Sequence, residues 1–275
     1  MSKSSQYLDI SFLVPHGYKF NDKILKNLKS SFVKTNFKAR SNEEFGLACK
    51  IINKKNQIHD DKYIDILKAI SHPNIVNVHS IYQKNELLFV FTEWIDDDNL
   101  LKIIRQNGSL DENSAKIWFH QMLLGLKYFH DKNVAHCNLS CAKMMIRSNN
   151  IKISGLKYLR STKSQESIQM KSPLNMRYRA PEINLNLPFN PQTADIFSIG
   201  IILFVMLNAM FPFNSSDINE LVEDQNKQRY SFRASNIHKL SIESQVTVHT
   251  LLEPNPNLRW NVDKVLSLDW FNKND

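Results

Sequence analysis

The sequence predicts an α+β protein built as a small strand-rich lobe followed by a larger helical one. Three observations carry that expectation. Before Trp94 the apolar residues fall in short β-branched or aromatic runs, after it they recur at helical spacing, and 42% hydrophobic residues in a chain of 275 suffice for a sizeable core.

The runs GYKF, FVKTNFKA, FGLACKII and LLFVFTEW read as strands separated by polar segments. Between the third and fourth, DDKYIDILKAISHPNIV places Tyr63, Leu67 and Ile70 on one face of a helix that stops ahead of Pro73. Helical patterns resume with DDDNLLKIIRQNG. A longer segment from Asp111 to His130 then opens on acidic residues and carries Trp118, Met122 and Phe129 inward. The stretch Leu156 to Tyr178 reads as one long irregular loop, a length usually reserved for function or mobility. The apolar run from Ile196 to Leu207 is broken by Ser198 and Gly200. It is shorter than the roughly 20 residues a bilayer span needs and reads as a buried core helix.

Thirty-five Lys and Arg against 27 Asp and Glu give a net charge of +8, spread along the whole chain with no basic helix carrying interleaved aromatics. Neither nucleic acid nor a membrane is therefore an expected partner. The polar start, Met1 to Gln6, lacks the apolar core of an export signal, and Cys49, Cys137 and Cys141 stand at unrelated spacings. A reduced, cytoplasmic setting without disulfides or structural zinc is expected.

The segments ACKII, LKAISHPNIV, GLKYFHDKNVAHCNLSCAKMMI, IKISGLKYL, RYRAPEI, ADIFSIGIILFVML and PNPNLRWNVDKVLSLDWF occur in the order and spacing of a eukaryotic protein-kinase domain. The chain resembles that family from roughly Tyr18 to Phe271, and FPFNSSDINELVEDQNKQRYSF is most similar to the testis-specific serine kinase group within the calmodulin-dependent and related kinases. The resemblance implies a two-lobed protein-kinase-like fold. Its N-lobe would cover about residues 18–93, its hinge 93–97 and its C-lobe about 98–271, after an extension over 1–17. It also implies structural roles: His136 opening the catalytic loop, Asp195 bonding that loop's backbone, Gly200 allowing close packing of the central helix, and Glu182 paired with Arg259.

Phosphoryl transfer is catalysed by positioning and charge neutralisation, so the family's working residues can be checked by name. The glycine-rich loop aligns with LKSSFVKT, which puts Leu28, Ser30 and Val33 where glycines let the backbone approach phosphates. Lys50 stands at the phosphate-contacting lysine, but the helix glutamate that should pair with it is Tyr63. Thr92, Glu93 and Ile95 at the joint complete the implied nucleotide-binding positions. Asn138 replaces the catalytic aspartate, and an amide cannot accept and carry a proton. Lys143 and Gly155 replace the two metal ligands, the second being the D-F-G aspartate, so no metal is expected. Cys137 stands where an arginine reads activating phosphorylation, so a phosphate on Ser161, Thr162, Ser164, Ser167 or Ser172 would lack that receptor. Cys137 and Cys141 read as buried, inert thiols.

The expectation is a pseudokinase: a non-catalytic scaffold or allosteric partner binding a protein, such as an active kinase or its substrate. No cofactor is required, and any ATP binding is expected to be weak and independent of magnesium. Two other readings stay open, an active or weakly active serine/threonine kinase and a nucleotide or anion sensor without turnover.

Overall fold

The computed structural model describes residues 11–20, 32–38, 44–53, 62–95, 98–163 and 174–272. The chain divides into two compact units, residues 1–71 with 76–96 and residues 72–75 with 97–275.

The first unit holds a five-stranded sheet in the order β1-β2-β3-β5-β4. Its strands are β1 (Tyr18–Phe20), β2 (Phe32–Lys38), β3 (Glu44–Asn53), β4 (Val78–Lys84) and β5 (Leu87–Glu93), with antiparallel pairing throughout. Four of these match the runs read as strands; β4 does not. It is an edge strand, bonded to β5 alone and exposed or half-exposed along its whole length, so it shows little of the in–out alternation that marks a strand in a sequence. A tight turn with Asn85 at φ 53° joins β4 to β5, a backbone region asparagine tolerates. Helix α1 (Lys62–Lys68) buries Tyr63 and Leu67 as its spacing predicts.

One face of this sheet is apolar because Leu47, Cys49, Phe89 and Phe91 alternate along β3 and β5. Leu13 and Tyr18 complete that cluster. Leu13 arrives on a 3-10 helix, Ser11–His16, and is 0% exposed. The Phe12 ring meets Phe89 edge-on at 5.3 Å, and Tyr18 lies 4.1 Å from Phe91 between centroids. Residues ahead of Tyr18 thus belong to the core of this lobe.

The second unit is mainly helical, with α2 (Leu100–Asn107), α3 (Glu112–Asp131), α4 (Pro181–Asn184), α5 (Pro191–Asn208), α6 (Ile218–Asn226), α7 (Ala234–Ile237), α8 (Ile242–Leu251), α9 (Val262–Leu266) and α10 (Asp269–Asn272). Asn99 caps α2 by accepting from the Lys102 N–H, and Asp111 caps α3 by accepting from that of Ser114. Trp118, Met122 and Phe129 are buried on α3. By length and composition α5 could cross a membrane, but 89% of it is buried inside this lobe. Gly200 lets α5 touch α8: a Cβ there would sit 2.7 Å from Leu251 Cβ, closer than carbon atoms approach. Two small antiparallel pairs, β6 (Val134–Ala135) with β9 (Arg160–Ser161) and the hairpin β7 (Met144–Arg147) with β8 (Asn150–Ile153), frame the candidate site. The stretch expected to be one irregular loop therefore begins with ordered structure: a 3-10 turn at Leu156–Tyr158, then β9.

Removing the methyl groups of a fully buried leucine leaves a cavity, so Leu13→Ala is expected to cost about 2–5 kcal/mol. A urea titration against the unaltered chain checks this, and an unchanged midpoint would mean that the 3-10 segment adds nothing to the lobe.

Candidate functional site

In the first unit Lys50 lies on β3 opposite Val90 and is half-buried. Tyr63, at the position of the helix glutamate, is 2% exposed, and burial holds its phenol well above the usual tyrosine range. A neutral aromatic therefore occupies that slot. Thr92 pairs with Ala48 and Val78, and Ile95 is buried. Glu93 is turned to structural work, its carboxylate accepting from the Asn77 N–H at 2.7 Å while its own N–H donates to the Asn77 carbonyl at 3.0 Å. The backbone of Val33 is paired with Cys49, so this position lies inside β2. Leu28 and Ser30 fall outside the described residues.

In the second unit the catalytic-loop segment is fixed by Asp195 on α5. Its two carboxylate oxygens accept from the N–H of His136 at 2.7 Å and of Cys137 at 2.9 Å. These bonds hold Cys137 at φ 60°, a left-handed conformation that costs a non-glycine residue energy. His136 is fully buried. Its Nδ1 accepts from the Asn138 N–H at 3.2 Å, so the imidazole is neutral and Nε2–H donates to the Ser154 carbonyl at 3.0 Å. Burial pushes its pKa below the ordinary 6.5. Ser154 in turn gives both its N–H, at 2.8 Å, and its hydroxyl, at 3.0 Å, to the Lys143 carbonyl. Asn138, Lys143 and Gly155 are thereby brought together on one rigid backbone frame. Spacing did not reveal Ser154; the only signal was its place before the glycine in the D-F-G slot.

The Lys143 side chain runs across Gly155. A Cβ built on Gly155 would lie 2.7 Å from Lys143 Cδ and 3.2 Å from both Cγ and Cε. Gly155 itself adopts φ 86° and ψ 34°. Lys143 is half-buried, and desolvation lowers its pKa. Beside Cys137 a small cleft is lined by Leu174, Ile183, Phe189, Pro191 and Ala194. Cys137 is half-buried and Cys141 buried; both thiols are raised by desolvation, that of Cys141 to about 12, so neither is a ready nucleophile.

The end of the activation segment is held by Glu182 and Arg259. Their ion pair is bidentate, 2.8 Å from Nη1 to Oε1 and 3.2 Å from Nη2 to Oε2. The remaining guanidinium donors reach the carbonyls of Glu253 at 2.8 Å, Thr193 at 3.0 Å and Pro254 at 3.0 Å, and the cation lies 5.0 Å from the Phe197 ring centroid. Every donor is satisfied, which is what makes a buried charge tolerable.

Residues 29–271 match the family model described as the protein kinase domain, and the chain belongs to that family, among the serine/threonine protein kinases. Human testis-specific serine/threonine-protein kinase 1 is 29% identical over 240 residues, which cover 83% of this chain and 65% of that protein. Mouse testis-specific serine/threonine-protein kinase 2 is 28% identical over 255 residues, 88% of this chain and 71% of the relative. Rice CBL-interacting protein kinase 8 is 27% identical over 254 residues, 90% of this chain and 56% of the relative. The chain thus spans about two thirds of the length of the animal relatives and just over half of the plant one.

Glu182→Ala or Arg259→Ala strands one buried charge and is expected to cost roughly 3–5 kcal/mol, against little for Asn138→Ala. Melting curves of the three variants check this; equal stability would remove the anchor role. The histidines give a second expected outcome. His136, fully buried, has its pKa lowered by desolvation, and partial burial lowers those of His72 and His120, so the unfolded chain takes up protons first once the pH falls past 6.5. Stability should be steady above that value and decline as the pH falls from it toward the lowered folded-state pKa values. Urea unfolding at several pH values reads this directly, and a rise in stability on acidification contradicts it.

Proposed function

We propose that this chain is a pseudokinase, a cytoplasmic member of the serine/threonine kinase family. It works by binding a protein partner, an active kinase or its substrate, as a scaffold or allosteric effector. One observation carries the reading. Lys132, Lys143, Arg147, Lys152, Lys157, Arg160 and Lys163 place seven positive charges between Lys132 and Gln165, where there is not one Asp or Glu. No shift of register can recover a base or a metal ligand from that stretch, and phosphoryl transfer depends on both. The buried anchors Asp195, Glu182 and Arg259 remain, so the fold is kept while the reacting groups are lost. An active or weakly active kinase is the second reading, favoured by the presence of Lys50 and by the names of the relatives.

Phosphotransfer from radiolabelled ATP to generic protein substrates separates the two. Turnover is expected at least about 100-fold below that of an active relative. Activity that survives purification and disappears in Lys50→Ala overturns the proposal. The repaired variant Asn138→Asp, Lys143→Asn, Gly155→Asp should regain little. Tyr63 still occupies the glutamate slot, and Leu28, Ser30 and Val33 still replace the loop glycines. Recovery to within about tenfold of an active relative would confine the defect to the catalytic loop and metal positions.

A further inference from the structure

The fold family implies a magnesium-loaded nucleotide, and the residues here do not fit the metal. Gly155 offers no oxygen side chain, and the methylenes of Lys143 fill the space where an aspartate at that position would begin. Among the described residues no three His, Cys, Asp or Glu side chains cluster to hold an ion. Magnesium binds through carboxylate and phosphate oxygens at short, near-octahedral distances, and an ammonium group beside it is repulsive.

The same lysine is suited to a different ligand. Its backbone is locked by Ser154, its side chain lies half-buried over a glycine, and no ion pair to it forms among the described residues. Its neighbour Lys157 is turned instead over the Tyr158 ring, 5.0 Å from the centroid. A partly desolvated cation without a carboxylate gains more from an incoming oxyanion than a surface lysine does. We infer that the Lys143–Gly155 pair converts the metal position into a metal-free oxyanion site, with the ammonium in place of the divalent cation, whose ligand is an unchelated polyphosphate such as metal-free ATP. The inference rests on the non-catalytic reading and gives that reading a ligand class. Chelation by magnesium removes negative charge from the polyphosphate, so it should weaken binding.

The full chain is titrated with ATP in EDTA, with ATP in excess magnesium, and with inorganic tripolyphosphate in EDTA, by calorimetry and by thermal shift. The variants are Lys143→Met, which keeps the methylenes over Gly155 and removes the charge, and Lys143→Arg, which keeps the charge. The expected result is binding in EDTA that magnesium weakens, that Lys143→Met weakens by at least about tenfold, and that Lys143→Arg preserves. Tripolyphosphate binding like ATP assigns recognition to the phosphates alone; tighter binding of ATP adds a contact to the nucleoside; either result supports the inference. It is overturned if magnesium tightens binding, if Lys143→Met matches the unaltered chain, or if no ligand binds. Transfer of label from ATP would instead overturn the non-catalytic reading, so the two failures are told apart.

Discussion

The carboxylate of Asp195 is the constraint on which the candidate site depends. It stands on the most buried helix of the second lobe, is 2% exposed, and accepts from two consecutive backbone N–H groups and from His130 Nε2 at 3.4 Å. A buried charge is costly unless such donors surround it, and here they come from the loop itself. The consequence runs outward. Cys137 is held left-handed, His136 is aimed at Ser154, and Ser154 is tied to Lys143. Backbone geometry at Asn138, Lys143 and Gly155 is thus set from behind, by the hydrogen bonds of Asp195, His136 and Ser154.

Two further carboxylates of this lobe hold its elements together. Glu182 holds Arg259. Glu112, in the first turn of α3, accepts from the Ser241 N–H at 2.7 Å, the Ser244 hydroxyl at 3.2 Å and Trp270 Nε1 at 2.8 Å, and so fastens α3 to α8 and α10. The segment around the candidate site keeps the opposite balance, cations without acids. Electrostatics therefore separates the two regions: paired and desolvated where the lobe is bolted together, one-signed where a kinase would hold metal and phosphate.

Helices α1, α2 and α3 were legible because apolar residues recur on one face, Tyr63 and Leu67 on α1 or Trp118, Met122 and Phe129 on α3; α5 was legible as an apolar run, and four of the five strands of the first sheet as short β-branched or aromatic runs, whereas α4 and α6 to α10 were not read from the sequence. The half-exposed edge strand β4 leaves no such trace. The site positions were legible through the spacing of family motifs. Their supports were not: Ser154 works through its backbone, and Glu112 meets residues more than a hundred positions away. Leu13 belongs to the first lobe's core although it precedes every recognisable motif. Such contacts depend on three-dimensional closure and have no local signature.

Lys143 lying across Gly155 also makes the two positions a single unit. They are coupled by contact, so the effect of changing one depends on the other. An aspartate placed at 155 alone would arrive against the methylenes of Lys143, while an asparagine placed at 143 alone would face a residue with no side chain to share a ligand. The energies of the two changes are therefore not additive, and the pair reads as a two-letter word in which neither letter can be exchanged without regard to the other.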